Sequence, residues 1–334
     1  MKKKVLILKN DRTGDLFVSL KAINRIINKH QNQDIFIYLS KINHKFSFLF
    51  PKLNKIIVSM NLSIFEKIKI FLFLLFNNID CIYILSPKNF YYYLPFFFRK
   101  IKFYGITIKS QKSRPNNFLL KYLFKYVVID RLNIHKRISS YDLQESLVEP
   151  TQNKNNLNKE SLISHNFVYP KDFVYFHYKQ TFFKNLLSWE LKKVNELIIF
   201  LSKNFKNVLF SSELFNKSTN DFFLKNFNTF DFVNNEKFTI SKDNIFFLKD
   251  IDGFDLFDAV NKSSKIISPE GIITHMGYFL DKPTLALMHF NLKNRRDFIN
   301  QIISCKEWFP PNNYNYTVLK KDFNRSLDKL RKRI

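Results

Sequence analysis

Two short stretches, in opposite halves of the chain, hold residue types that could do chemistry. The first is Lys9-Asn10-Asp11-Arg12-Thr13-Gly14-Asp15. It follows an apolar run at 5–8 and precedes Leu16, Leu20, Ile23 and Ile27 at helical spacing. A carboxylate at such a strand-to-helix edge has two uses. Asp15 can complement the positive end of the helix, or it can take a proton from a substrate hydroxyl. The second stretch is Pro269-Glu270-Gly271-Ile272-Ile273-Thr274-His275. Amides at the head of a helix seat a phosphate, and His275 there either bonds the ligand or fills a structural place. The chain has five glycines, Gly14, Gly105, Gly253, Gly271 and Gly277. Gly14 and Gly271 each fall in a turn between strand and helix, where positive φ or close backbone approach calls for glycine. Neither turn fits G-x-G-x-x-G or G-x-x-x-x-G-K-[ST]. Asp250-Ile-Asp252 reads as a solvated turn before a helix at 254–261, and His177, at a strand end, reads as a packed residue.

The elements that must position these residues alternate strand and helix. In the first half, strands are expected at 34–39, 55–58, 81–85 and 102–105, with a strongly apolar helix at 64–76. A polar stretch at 151–164 separates them from a second series. That series has strands at 173–177, 207–210, 244–248, 265–268 and 283–288, and helices at 189–205, 222–227 and 254–261. A loop runs from Pro269 to His275, with a helix after it through Leu280. The pattern predicts an α/β chain of two doubly wound parallel sheets around a cleft. The expected division is an N-terminal domain 1–150, a linker 151–164, a second domain 165–312, and a basic terminal helix 313–334 that packs back on the N-terminal domain. Sheets of this kind bind ligands at the carboxyl ends of their strands.

Composition narrows the classes. Hydrophobic residues make up 46% of the chain, too many for a disordered protein. The longest apolar run, 70–76, is far short of the roughly 20 residues of a membrane span. The apolar run after the N-terminal lysines ends at Leu8, leaving no signal-peptide core, so a cytoplasmic location is expected. Cys81 and Cys305 match no metal or redox spacing. The net charge is +26, with 26 Lys/Arg against 9 Asp/Glu in residues 1–150 and 28 against 19 in the remainder. A basic first half suits an anionic partner, nucleic acid or a membrane surface, and AT-rich codon usage would produce the same bias. No nucleic-acid-binding module is present. The aromatic and basic stretch 90–102 is read as a membrane-surface contact, and helix 64–76 as a core helix.

Both stretches resemble glycosyltransferase family 9, the lipopolysaccharide heptosyltransferases. Leu6-Ile-Leu-Lys-Asn-Asp-Arg-Thr-Gly14-Asp15-Leu is similar to the family's opening signature. The block from Leu256 through Ser268-Pro-Glu-Gly271-Ile-Ile-Thr-His275-Met-Gly-Tyr-Phe-Leu-Asp-Lys-Pro283 is similar to its donor-site block. The family usually has Arg at the place of Lys9, Pro at that of Lys21 and Asp-Thr-Gly at that of Pro269-Glu270-Gly271. The resemblance implies a GT-B fold and inverting, metal-independent transfer of a sugar, plausibly heptose from ADP-heptose, onto a lipopolysaccharide core or related glycolipid. It implies Asp15 as general base beside Thr13 and Gly14. Lys179 or Lys184, with the amides of Gly271, Ile272, Ile273 and Thr274, would hold the diphosphate. Glu270 would bond the donor ribose and His275 the diphosphate or sugar. No cofactor beyond the nucleotide sugar is implied. A lipid-linked acceptor places the expected work at the inner face of the inner membrane. The alternatives are a different nucleotide-sugar donor, a catalytically silent nucleotide-sugar-binding protein, and a basic nucleic-acid-binding protein.

Overall fold

The structure, a computed structural model, describes residues 3–107, 115, 117–129, 139–149, 169–212, 217–231, 236–238, 244–251, 253–290, 308–310 and 315–334. Two compact units are present, Met1–Leu162 with Ile302–Pro311, and Ile163–Gln301 with Asn312–Ile334. The linker expected at 151–164 lies outside the described residues. The first unit takes in a late return segment that the sequence reading assigned wholly to the second domain. There, Ser139 Oγ donates to the Phe309 carbonyl at 2.8 Å.

The first unit has six strands: β1 (Lys4–Lys9), β2 (Asp34–Ser40), β3 (Asn54–Val58), β4 (Ile79–Ile84), β5 (Lys102–Thr107) and β6 (Tyr126–Ile129). All pair in parallel, in the order β3-β2-β1-β4-β5-β6. Its helices are α1 (Thr13–Lys29), α2 (Lys41–His44), α3 (Ile64–Phe76), α4 (Leu94–Phe97), α5 (Asn117–Leu123) and α6 (Ser140–Glu145). Residues 5–8 of β1 are wholly buried because the strand is central and covered on both faces. Leu6 and Leu8 join Ile82, Ile84, Ile70 and Leu74 of α3, and Leu120 of α5 in one cluster. Helices α1 and α6 pack together, tied by an Arg25–Glu145 ion pair at 2.7 Å, and their buried residues lie outside that cluster.

The second unit has β7 (Phe173–Tyr178), β8 (Asn207–Ser212), β9 (Asn228–Asp231), β10 (Glu236–Phe238), β11 (Ile245–Lys249), β12 (Lys265–Pro269), β13 (Thr284–Met288) and β14 (Asn315–Val318). Their order is β10-β9-β11-β8-β7-β12-β13-β14, parallel except for β9 with β10. Helices are α7 (Leu191–Asn204), α8 (Lys217–Asn226), α9 (Gly253–Lys262), α10 (Ile272–Phe279) and α11 (Phe323–Arg331). The α/β class with two parallel sheets is as expected. The terminal helix α11 is not placed as expected. Phe323 and Leu330 are part of the second unit's core, the Phe323 ring meets Trp189 edge-on at 4.9 Å, and the Trp189 indole N–H donates to the Lys321 carbonyl. The apolar stripe of this basic helix covers the nearest open core.

Helix α3 also departs from its expected role. Ser63 caps it with a reciprocal box through Glu66, but only Ile70 and Leu74 turn fully inward. Ile64, Phe65, Ile68, Leu72, Leu75 and Phe76 are exposed. In 90–102 the reverse holds for half the aromatic stretch: Tyr91, Tyr92, Leu94 and Pro95 are buried, and Tyr93, Phe96 and Phe97 face out.

Gly277 sets how closely α10 approaches the second sheet. A Cβ there would run into Thr284 Oγ1 and come within 2.6 Å of Ile266 Cδ1. Thr284 is β-branched and lies on a strand, so it yields little. Gly277→Ala is expected to cost about 1–3 kcal/mol of stability, read as a lower midpoint in urea unfolding.

Candidate functional site

In the first unit, the chain leaves β1 through Asn10, Asp11 and Arg12, and α1 begins at Thr13. Gly14 is therefore the second residue of the helix, and the only described glycine with positive φ is Gly271. The tight turn expected of Gly14 is made without it, because the preceding residues are pinned by side chains instead. Asn10 donates from Nδ2 to the Ser59 carbonyl and accepts from the Tyr91 hydroxyl. Ser40 Oγ donates to the Asp11 carbonyl, and Asn43 Nδ2 donates to that of Lys9. The Lys9 side chain is buried and paired with Asp11 at 2.8 Å, and its ammonium also reaches the Leu85 carbonyl after β4. This loop lies where the strand order reverses, between β1 and β4. Asp11 Oδ1 and Ser86 Oγ are buried beside it with no hydrogen-bond partner.

Asp15 sits at the third helical position, and its carboxylate accepts from the Arg12 backbone N–H. That is the helix-capping use. It does not exhaust the group. Burial holds the carboxyl above the ordinary value of 3.8 and Asp11 adds to this, against the opposing pull of Lys9, Arg12 and the Arg12 N–H. A carboxylate raised in this way is the stronger base. Thr13 is buried in the same first turn.

In the second unit, β7 and β12 are neighbours at the point where that sheet reverses. Their carboxyl ends bring Lys179 against Glu270 and Gly271: Lys179 Nζ donates to the Glu270 carbonyl at 3.4 Å. Lys184, the other lysine of the expectation, lies exposed in the wound segment Thr181–Leu186. Gly271 has φ +153° and ψ −152°, which a side chain would not tolerate. A Cβ there would also face Lys179 Nζ at 3.5 Å.

The loop after β12 is shorter than expected. Helix α10 starts at Ile272 rather than after His275, because Thr274 locks the entry: its Oγ1 accepts from the Gly271 N–H and donates to the Gly271 carbonyl. The Gly271 amide is thus committed within the chain, which removes it from the expected phosphate ligands. The amides of Ile272, Ile273 and Thr274 have no acceptor inside the helix and point out of its N-terminus. The side chains of Ile273 and Thr274 are buried, so what those two residues can offer a ligand is backbone.

His275 is buried in the first turn of α10, with Nε2 3.9 Å from Glu270 Oε1. Burial first, and then the Lys179 charge, lower its pKa to about 4, so it is neutral at neutral pH. His177 is lowered to about 4 by the same two causes, and its Nδ1 meets Ser211 Oγ at 3.1 Å. One lysine thus faces two neutral imidazoles, the Glu270 carbonyl and a helix N-terminus. An anion is the ligand such a place suits. Among the described residues no group of three or more His, Cys, Asp or Glu is arranged to hold a metal ion. Asp252 lies outside the described residues.

Lys9, Asn10, Asp11 and Tyr91, which had no individual role in the sequence reading, hold this loop in place.

No family model and no curated protein sequence matches the chain. Solved structures do. A glycosyl transferase family 9 protein from Veillonella parvula DSM 2008 superposes with a TM-score of 0.62 at 13% identity, over 99% of this chain and 90% of that one. The E. coli heptosyltransferase WaaC with ADP-2-deoxy-2-fluoro heptose gives 0.63 at 12% identity, over 99% and 100%. The UDP-GlcNAc 2-epimerase of Methanocaldococcus jannaschii gives 0.53 at 14% identity, over 98% and 92%. The resemblance carried by the two sequence blocks therefore extends to the fold, over nearly the whole chain.

Proposed function

We propose that the protein is a glycosyltransferase that moves a sugar, with inversion, from a nucleoside-diphosphate sugar onto a hydroxyl of a glycolipid. ADP-heptose is the favoured donor and a lipopolysaccharide core the favoured acceptor. The observation that carries the reading is the cluster of Lys179, Glu270, Gly271 and the head of α10 at the reversal of the second sheet. The likeness to family 9 and heptosyltransferase structures supports it.

In this mechanism the donor diphosphate rests on the amides of Ile272, Ile273 and Thr274, with the Lys179 ammonium beside it. Glu270 bonds the ribose. Asp15 takes the proton of the acceptor hydroxyl as its oxygen attacks the anomeric carbon. The bond from that carbon to the diphosphate oxygen breaks, and the nucleoside diphosphate leaves with the electron pair. Protein cations and amides meet the charge developing on it, so no divalent cation is required.

Calorimetry with a panel of nucleotide sugars tests this. Binding of an ADP-sugar that persists in EDTA and weakens in Lys179→Met is the expected result. Absence of binding by every nucleotide sugar overturns the reading. The likeness to the UDP-GlcNAc 2-epimerase favours a second reading, a nucleotide-sugar enzyme without transfer. That reading gains if a UDP-sugar is bound and altered with no acceptor present.

A further inference from the structure

The face of the first unit that carries α3, α4 and α5 shows apolar surface that its core does not use. A helix as apolar as α3 ordinarily turns inward, yet Phe65 is 77% exposed, Phe76 75% and Ile64 72%. Phe97 of α4, 69% exposed, meets Phe71 of α3 ring to ring at 5.5 Å, so the two exposed surfaces are continuous. Lys67 Nζ lies 6.0 Å over the Phe90 ring, which ties the same helix to the segment before α4. Phe118 and Tyr122 of α5, packed on the same side of the sheet through Leu120, are exposed as well.

Charge says what covers this face. From 64 to 102 there are six cations, Lys67, Lys69, Lys88, Arg99, Lys100 and Lys102, against two acids, Glu66 and Asp80. Both acids are engaged within the chain. Glu66 accepts from the backbone N–H groups of Ser59 and Ser63, and Asp80 pairs with Lys3 and Lys102. The net field of the patch is positive. A second copy of this chain brought onto the same patch would set like charges against like.

We infer that this face docks on an anionic lipid bilayer, with α3 lying in the interface, Phe65, Phe76 and Phe97 entering the acyl region and the flanking Lys and Arg meeting headgroup phosphates. Helix α3, read from sequence as core, is the main contact, and the stretch 90–102 contributes only its outward half. The inference does not rest on transferase activity, since binding is measured with no donor or acceptor sugar present.

The test is co-sedimentation of the full chain with vesicles of phosphatidylcholine alone and of phosphatidylcholine with phosphatidylglycerol. Binding to the anionic vesicles is expected. The double substitution Phe65→Ser with Phe76→Ser should weaken it by about tenfold or more, because a buried phenylalanine carries about that factor. The melting temperature should stay unchanged, as both side chains are exposed. Lys67→Glu with Lys69→Glu should weaken binding too, as should salt at about 1 M, where the screening length is about 3 Å. The inference is overturned if anionic vesicles are not bound, if both double variants bind as the parent does, or if the parent is a dimer that the phenylalanine substitutions dissociate.

Discussion

Asp15→Asn is expected to lower the rate of sugar transfer by about 100- to 10,000-fold, the range over which a positioned general base acts, while leaving donor affinity close to that of the parent. Asparagine keeps the shape and can still accept from the Arg12 N–H, so the start of α1 survives the change. What it cannot do is take a proton. The pH dependence separates the two uses of this residue. Burial holds the Asp15 carboxyl above its ordinary value of 3.8, so the parent should lose activity as pH falls through that raised point. Below that point the carboxyl is protonated and no base remains. The limb should vanish in Asp15→Asn. If the variant keeps full transfer, Asp15 is a capping residue alone.

Lys179→Met is expected to lower transfer by about 100- to 1,000-fold, comparable to removing one preorganised group from a site of developing negative charge. It carries a second readout that needs no substrate. Burial of His275 is the main cause of its low pKa, and the Lys179 charge adds to it. Taking that charge away should move the His275 titration upward from about 4, as followed by NMR. A lysine that only braced the Glu270 carbonyl would shift this titration and leave donor binding intact. The upward shift together with loss of donor binding is the expected outcome.

The fold was legible in the sequence where strands were buried on both faces. β1, β7 and β12 are short apolar runs bounded by polar residues, and their places in the two sheets follow from the alternation with helices. The edge strand β3 was legible and β14 was not. β14, Asn315–Val318, has one buried residue, Thr317, and its Asn-Tyr-Thr-Val sequence carries no apolar run. The role of α3 was misread because hydrophobicity reports what a helix would rather touch, not what the chain supplies to cover it. In the candidate site, glycine scarcity pointed correctly to Gly271, whose backbone needs it, and wrongly to Gly14, which sits in ordinary helix. The Thr274 lock was hidden because a threonine three residues after a glycine is a common pairing, and only geometry shows that it commits an amide. The choice between Lys179 and Lys184 depended on the end of β7 lying beside the end of β12, a contact between residues 91 positions apart.

The way the chain divides between the two units sets an order for synthesis. The six strands of the first sheet emerge from the ribosome early, but the return segment that holds Phe309 follows only after most of the second unit has been made. Trp189, in the core of the second unit, waits longer still for Phe323. The nascent chain must therefore carry an unfinished second core until helix α11 is free. Helix α11 fills part of the second core, and losing it costs more than its basic sequence suggests.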